Sequence, residues 1–228
     1  MKINVKLLAG EMVFLLVTFC LPLFLAAGTV AWPAGWAFLV LFFGFVIAIT
    51  AWLYRHNPGL LTERMTGQAN PGQKGWDKVF FALMNVAFIV WLIIMPLDAV
   101  RFHWSQVPVW LQAAGVVILL ASFTLFFVTF RENSFLSPAV RIQSERGQTV
   151  VSTGPYHIVR HPMYAAALLF MGGTPLLLGS WYGLVVAVLL VLLMARRAVL
   201  EELTQRDELQ GYDTYMAQVK YRLIPYIW

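Results

Sequence analysis

The sequence predicts an all-α, polytopic membrane helix bundle of six transmembrane helices, the last two a short hairpin, with both termini on the cytoplasmic side. Three observations carry that expectation. Hydrophobic residues make up 60% of the 228-residue chain and charged residues 12%, and the mean hydropathy is +0.73, a composition suited to lipid rather than water as solvent. Apolar runs recur at the length needed to cross about 30 Å of hydrocarbon at about 1.5 Å per residue. The Lys and Arg residues then partition almost wholly to one side.

Four runs of spanning length come first, at residues 12–31, 33–53, 79–97 and 108–130. The first is longer than a usual signal-peptide core and has no convincing cleavage site, so it reads as a retained span. The last apolar region, residues 162–195, would form one helix of roughly 50 Å, too long for a single crossing. Gly172-Gly173, Pro175 and Gly179-Ser180 supply breakers near its middle, which predicts two short helices over 162–178 and 181–200. Six spans put fifteen of the sixteen Lys and Arg residues on the side of the termini and leave only Arg101 opposite. Trp32, Trp36, Trp52, Trp76, Trp104, Trp110 and Trp181 fall near span ends, as interfacial aromatics do.

A single membrane domain over residues 1–228 follows, with four spans in 1–130 and a polar loop, hairpin and tail in 131–228. The net charge of +5 reports membrane orientation, and no basic-aromatic pattern calls for nucleic acid. Cys20 is the only cysteine, which excludes an intramolecular disulfide and a cysteine metal cluster. No span carries a central charge, so an ion path through the bilayer is not indicated. Asn85 in the third span reads as an interhelical hydrogen bond. The segment 55–78, rich in Asn-Pro and Pro-Gly pairs, fits a lid or a plain connector equally well.

The chemistry concentrates in the last third. In GPYHIVRHPMY, residues 154–164, Pro162 suits the first turn of a helix that begins at His161. The free N–H groups there, with Arg160 and His161, form a local site for a carboxylate or phosphate; the alternative is a pair of flanking cations at a span end. Gly154-Pro155 sets a turn that holds Tyr156 near the helix start. In RRAVLEE, residues 196–202, Arg197 and Glu201 are four apart on one helix face and Glu202 is adjacent. An ion pair and a ligand site are both open readings of that spacing.

With YDTYMAQVKYRLIP at residues 212–225, these motifs together resemble the isoprenylcysteine carboxyl methyltransferases and their relatives among membrane-embedded phospholipid methyltransferases, over about residues 143–225. The resemblance implies S-adenosylmethionine bound at the cytoplasmic face and a lipophilic acceptor entering from the bilayer. Carried over by position, Gln143, Gln148, Thr149, Val150, Val151, Tyr156, His161, Pro162, Met163 and Tyr164 would line the cofactor pocket. Glu201 would also contact the cofactor, and Arg197 would address the acceptor. Gln148 departs from the histidine usual in the animal enzymes, and the alignment at Gln143 needs a small gap. No metal is implied. A carboxylate acceptor is already ionised at neutral pH and needs no base; an amine or thiol would, and His161 and Glu202 are the local bases. A phospholipid amine or a small thiol remains an alternative acceptor on the same fold. A more distant alternative is an NADPH-dependent sterol-reductase-like enzyme, which VKYRLIPYIW also resembles. Glu201-Glu202 after Arg197 favours the methyltransferase branch.

Overall fold

The computed structural model describes residues 3–65 and 72–228, and among them all regular structure is helical. Eight α-helices follow in order: α1 (Val5–Ala27), α2 (Pro33–His56), α3 (Pro58–Met65), α4 (Gly75–Pro96), α5 (Val109–Glu132), α6 (Pro162–Leu178), α7 (Trp181–Glu208) and α8 (Tyr212–Gln218). Five of them, α1, α2, α4 with its π turn Leu97–Arg101, α5 and α7, are long and apolar enough to cross a membrane; α6 is a shorter apolar helix.

Local signals set several boundaries. The Asn4 side chain accepts from Lys6 N–H and Leu7 N–H at 3.1 and 3.2 Å, a cap for the first turn of α1, and Gly28 ends that helix at φ 71. Pro162 stands at the first turn of α6 as expected. Gly179, at φ 86, ends α6, and the Ser180 hydroxyl caps α7 by accepting from Gly183 N–H at 2.9 Å. Gly172, Gly173 and Pro175, expected to help break the region, instead lie inside α6. Surrounding helices supply the packing that lets an apolar helix tolerate them.

The short helix α6 is the centre of the molecule. Phe170 packs against Phe38 and Phe42 of α2, Trp91 of α4 and Phe123 of α5, with ring centroids 5.9–6.3 Å apart. Antiparallel α5 closes on it at backbone distance: a Cβ on Gly115 would meet Leu177 N at 2.5 Å and Gly173 O at 2.8 Å. Ser122 donates to Ala166 O at 2.8 Å further along the same contact. Helix α4 runs antiparallel to α7, joined by Trp91 Nε1 to Gly183 O at 2.8 Å and by Asp77 to Arg197 at 2.9 Å.

The bundle therefore has two unlike ends. One gathers α3, the starts of α4 and α6, the end of α7, the loop 133–161 and α8. The other holds buried Asp98, which accepts from Ser105 at 2.7 Å and Ser180 at 2.6 Å. Trp32 stands at the start of α2, at a span end as expected, with its ring buried against Gly35. One expectation changes: Asn85 faces outward without a hydrogen bond to another helix among the described residues. Helix α7 continues to Glu208 rather than ending near residue 200, so Arg197 through Glu202 share one unbroken helix, as their spacing implied.

Candidate active site

The loop after α5 is held in place before any site exists. Asn133 accepts from Phe135 N–H and donates to the Tyr156 hydroxyl, both at 2.8 Å. Gln143, fully buried, donates to Phe135 O at 2.7 Å; its N–H donates to the Gln148 side chain at 2.8 Å. Arg141 grips Glu63 of α3 through two nitrogens, at 3.2 and 2.9 Å. Burial alone would raise the Glu63 carboxyl, but hydrogen bonds from Arg141 and Ser137 outweigh it and hold the group below its ordinary range.

Between this loop, α3, α4, α6, α7 and α8 lies a cavity of about 230 Å³. Of the residues singled out from the sequence, Gln148, Thr149, Val150 and Val151 line it from the loop, Tyr156, His161, Met163 and Tyr164 from the entry to α6, and Arg197 and Glu201 from α7. Three others stand behind its wall. Gln143 secures the loop, Pro162 starts α6, and Glu202 faces the C-terminal tail.

Glu202 is a structural hub in this geometry. It accepts from Arg160 Nε at 2.6 Å and Arg222 Nε at 2.7 Å and lies 3.2 Å from His161 Nε2. Arg160 also donates to Val219 O and Lys220 O at 2.7 and 2.9 Å, while Arg160 N–H and His161 N–H bond Tyr221 O and Arg222 O, both at 2.9 Å. The tail is thereby strapped along the residues entering α6. A carboxylate satisfied by two guanidinium groups and set behind the wall is engaged in holding the tail rather than facing the cavity.

Arg197 and Glu201 do not pair with each other. Glu201 accepts from the Tyr164 hydroxyl at 2.5 Å and Gln205 Nε2 at 3.0 Å. Arg197 reaches across to α4, where Nε donates to Asp77 at 2.9 Å, and Nη2 donates to Pro138 O at 2.5 Å. Its guanidinium carbon lies 4.7–5.8 Å from the ring centroids of Phe80, Phe81 and Tyr164, so the ion sits in an aromatic collar. Asp77, fully buried, also accepts from Val140 N–H at 2.9 Å and Gln73 at 3.0 Å. An acid in the first turn of a span was the available sequence signal for it. The segment 55–78 contributes Arg64 to the wall; residues 66–71, part of the lid-or-connector reading, lie outside the described residues.

The cavity's donor set suits a cationic amino-acid nucleotide. Glu201 presents a carboxylate, and Tyr156, Tyr164, Tyr212 and Tyr215 present aromatic rings. The buried Tyr212 hydroxyl has no partner among the described residues, an unmade hydrogen bond of the kind a ligand completes. Burial raises its pKa above the ordinary tyrosine value, with the Glu202 and Glu201 charges adding to the effect, so it is a neutral donor.

Comparison with known proteins agrees with the motifs. No curated protein matches the chain. Residues 110–206 match the family model described as phospholipid methyltransferase, a stretch that takes in Gln143 through Glu202 and leaves out Arg64, Asp77, Tyr212 and Tyr215. Over that segment, from the start of α5 to near the end of α7, the chain is similar to the phospholipid methyltransferases.

Proposed function

We propose that the chain is an integral membrane methyltransferase that uses S-adenosylmethionine and methylates a lipophilic acceptor, with carboxyl O-methylation of an isoprenylcysteine-like molecule as its reaction. The observation that carries this reading is the convergence of Tyr156, His161, Tyr164, Arg197 and Glu201 on one cavity inside a family-matched segment. In the proposed topology α6 is the sixth crossing and both termini are cytoplasmic, so the cavity opens at the cytoplasmic face. The fifteen-to-one partition of Lys and Arg supports that orientation.

The bound cofactor supplies an electrophilic methyl group on a sulfonium. Transfer to a carboxylate would exchange one C–S bond for one C–O bond and leave a neutral thioether, so no residue of the chain would have to take up a proton. Glu201 and the Tyr212 hydroxyl are placed to hold the amino-acid and ribose polar groups, and the tyrosine rings suit adenine or the sulfonium. Charge is neutralised as the transition state forms, so a dry wall favours the step, and the aromatic collar around Arg197 supplies one. Because an ionised carboxylate needs no base, His161 can remain bonded to Glu202 throughout. Positioning then supplies most of the rate.

Incubating the purified protein with methyl-labelled S-adenosylmethionine and a lipid extract tests the reading. Label in a base-labile ester is the expected result. Label in an amine or thioether replaces the acceptor assignment, and binding of NADPH without cofactor affinity overturns the methyltransferase reading.

A further inference from the structure

Four arginines line the cavity: Arg64, Arg141, Arg160 and Arg197. Three are matched by carboxylates. Arg141 pairs with Glu63 and Glu145, Arg160 with Glu202, and Arg197 with Asp77. Arg64, on α3, has no carboxylate partner among the described residues. It donates to Leu136 O at 3.3 Å and lies 4.7 Å over the Phe130 ring.

Arg64 and Arg197 are neighbours in effect. One bonds the carbonyl of Leu136 and the other that of Pro138, two residues apart on the same extended loop. Burial and the positive charge of Arg197 together push the Arg64 guanidinium down to about 10, so its charged form carries a cost that an anion would relieve. Arg197, meanwhile, has Nε committed to Asp77 and Nη2 to Pro138 O, which leaves it short of a free two-nitrogen edge for a carboxylate.

We propose that Arg64 and Arg197 form a two-arginine clamp for the anionic head of the acceptor, with Arg64 as a substrate-binding residue contributed from outside the family-matched segment. The clamp rests on the methyltransferase reading and narrows it. The acceptor carries a negative charge within reach of α3, either a carboxylate that is itself methylated or a phospholipid phosphate beside a reacting amine. A second cation makes up for the engaged edge of Arg197, and the Phe130 and Phe81 rings stand against the two guanidinium groups at 4.7 Å each.

The test compares wild type, Arg64→Gln and Arg64→Lys in detergent. The probes are N-acetyl-S-farnesylcysteine, its neutral carboxamide and phosphatidylethanolamine vesicles, with S-adenosylmethionine binding measured separately by calorimetry. For the anionic probe that is methylated, Arg64→Gln should raise both KM and Kd by about tenfold to a hundredfold with kcat within about twofold. Carboxamide and S-adenosylmethionine affinities should stay at wild-type values, and Arg64→Lys should recover part of the loss. The farnesylcysteine and phosphatidylethanolamine arms separate carboxylate from phosphate as the source of the charge. An unchanged KM and Kd overturns the clamp while leaving the methyltransferase reading intact. Equal losses for the acid and the carboxamide make Arg64 a loop prop through Leu136, and a selective loss of S-adenosylmethionine affinity assigns Arg64 to the cofactor; each refutes the proposal. Wild-type protein that neither binds S-adenosylmethionine nor transfers methyl sinks the methyltransferase reading instead, and the probe Kd values still judge Arg64.

Discussion

Replacing Asp77 with alanine tests the deepest electrostatic contact in the site. The carboxylate is fully buried and accepts from Arg197, Val140 N–H and Gln73 at 2.9–3.0 Å. Removing it leaves a guanidinium, a backbone donor and an amide unpaired in surroundings that include Phe80 and Phe81. Deleting one partner of a buried pair costs about 3–5 kcal/mol, mostly from the charge left behind, which for a chain of this size corresponds to a fall of about 6–20 °C in Tm. Arg197→Ala alone should also destabilise, because it leaves Asp77 charged and Pro138 O short of a donor. The double variant Asp77→Ala/Arg197→Ala removes both charges, so it should be less destabilised than the two singles added together by about 1–3 kcal/mol. Thermal unfolding of the four proteins in one detergent measures this. Additive losses, or a loss below about 1 kcal/mol for Asp77→Ala, would show that the pair is not coupled and refute the reasoning.

Tyr212→Phe removes a hydroxyl that has no partner among the described residues, so stability should hold within about 0.5 kcal/mol of wild type. S-adenosylmethionine affinity should meanwhile fall several-fold by calorimetry, and a stability loss with unchanged affinity would contradict the assignment. Gly115→Ala places a methyl 2.5 Å from Leu177 N, a backbone atom that cannot move aside, and should cost about 1–3 kcal/mol. Gly44→Ala, with nothing within 4 Å of the new carbon, is the control that should leave Tm unchanged or raise it. Glu63 has its carboxyl lowered in the folded protein, so its contribution is fully present above the ordinary value of 4.5 and is lost as pH falls through the lowered one. Thermal midpoints followed from about pH 6 to about pH 3 should drop more in wild type than in Glu63→Gln; parallel curves would show that the Arg141 contact carries no stability.

Residues grouped by the sequence do meet at one cavity where their spacing is local in the chain. GPYHIVRHPMY placed Tyr156, His161 and Tyr164 at a helix start that does line the cavity, because a proline and a turn fix geometry over a few residues. The end of the last apolar run was legible too, since Gly179 and Ser180 act on their immediate neighbours. What could not be read is what the fold brings from afar. Arg197 and Glu201 are correctly spaced for a pair, yet Asp77, 120 positions earlier, takes the arginine and Tyr164 takes the carboxylate. Glu202 looked like a base because it is an acid beside the motif; only the tail's return, with Arg222, shows both its oxygens engaged. The number of apolar runs was visible, but the central place of the shortest one was not, because hydropathy measures oiliness and says nothing about which oily surface meets protein.

Helix α6 has an implication for how the molecule is made. Its surroundings are other helices on nearly every side, and it carries two adjacent glycines, an internal proline and a buried threonine hydroxyl without a partner among the described residues. Such a segment is a poor candidate to rest alone among acyl chains during synthesis. With α6 as a crossing, as proposed above, the growing chain would shelter it beside α5 as it emerges and seal it once α7 arrives, so that the cavity end would be assembled last. Lesions that delay α7 would then be felt as failures of biogenesis before they could be measured as failures of catalysis.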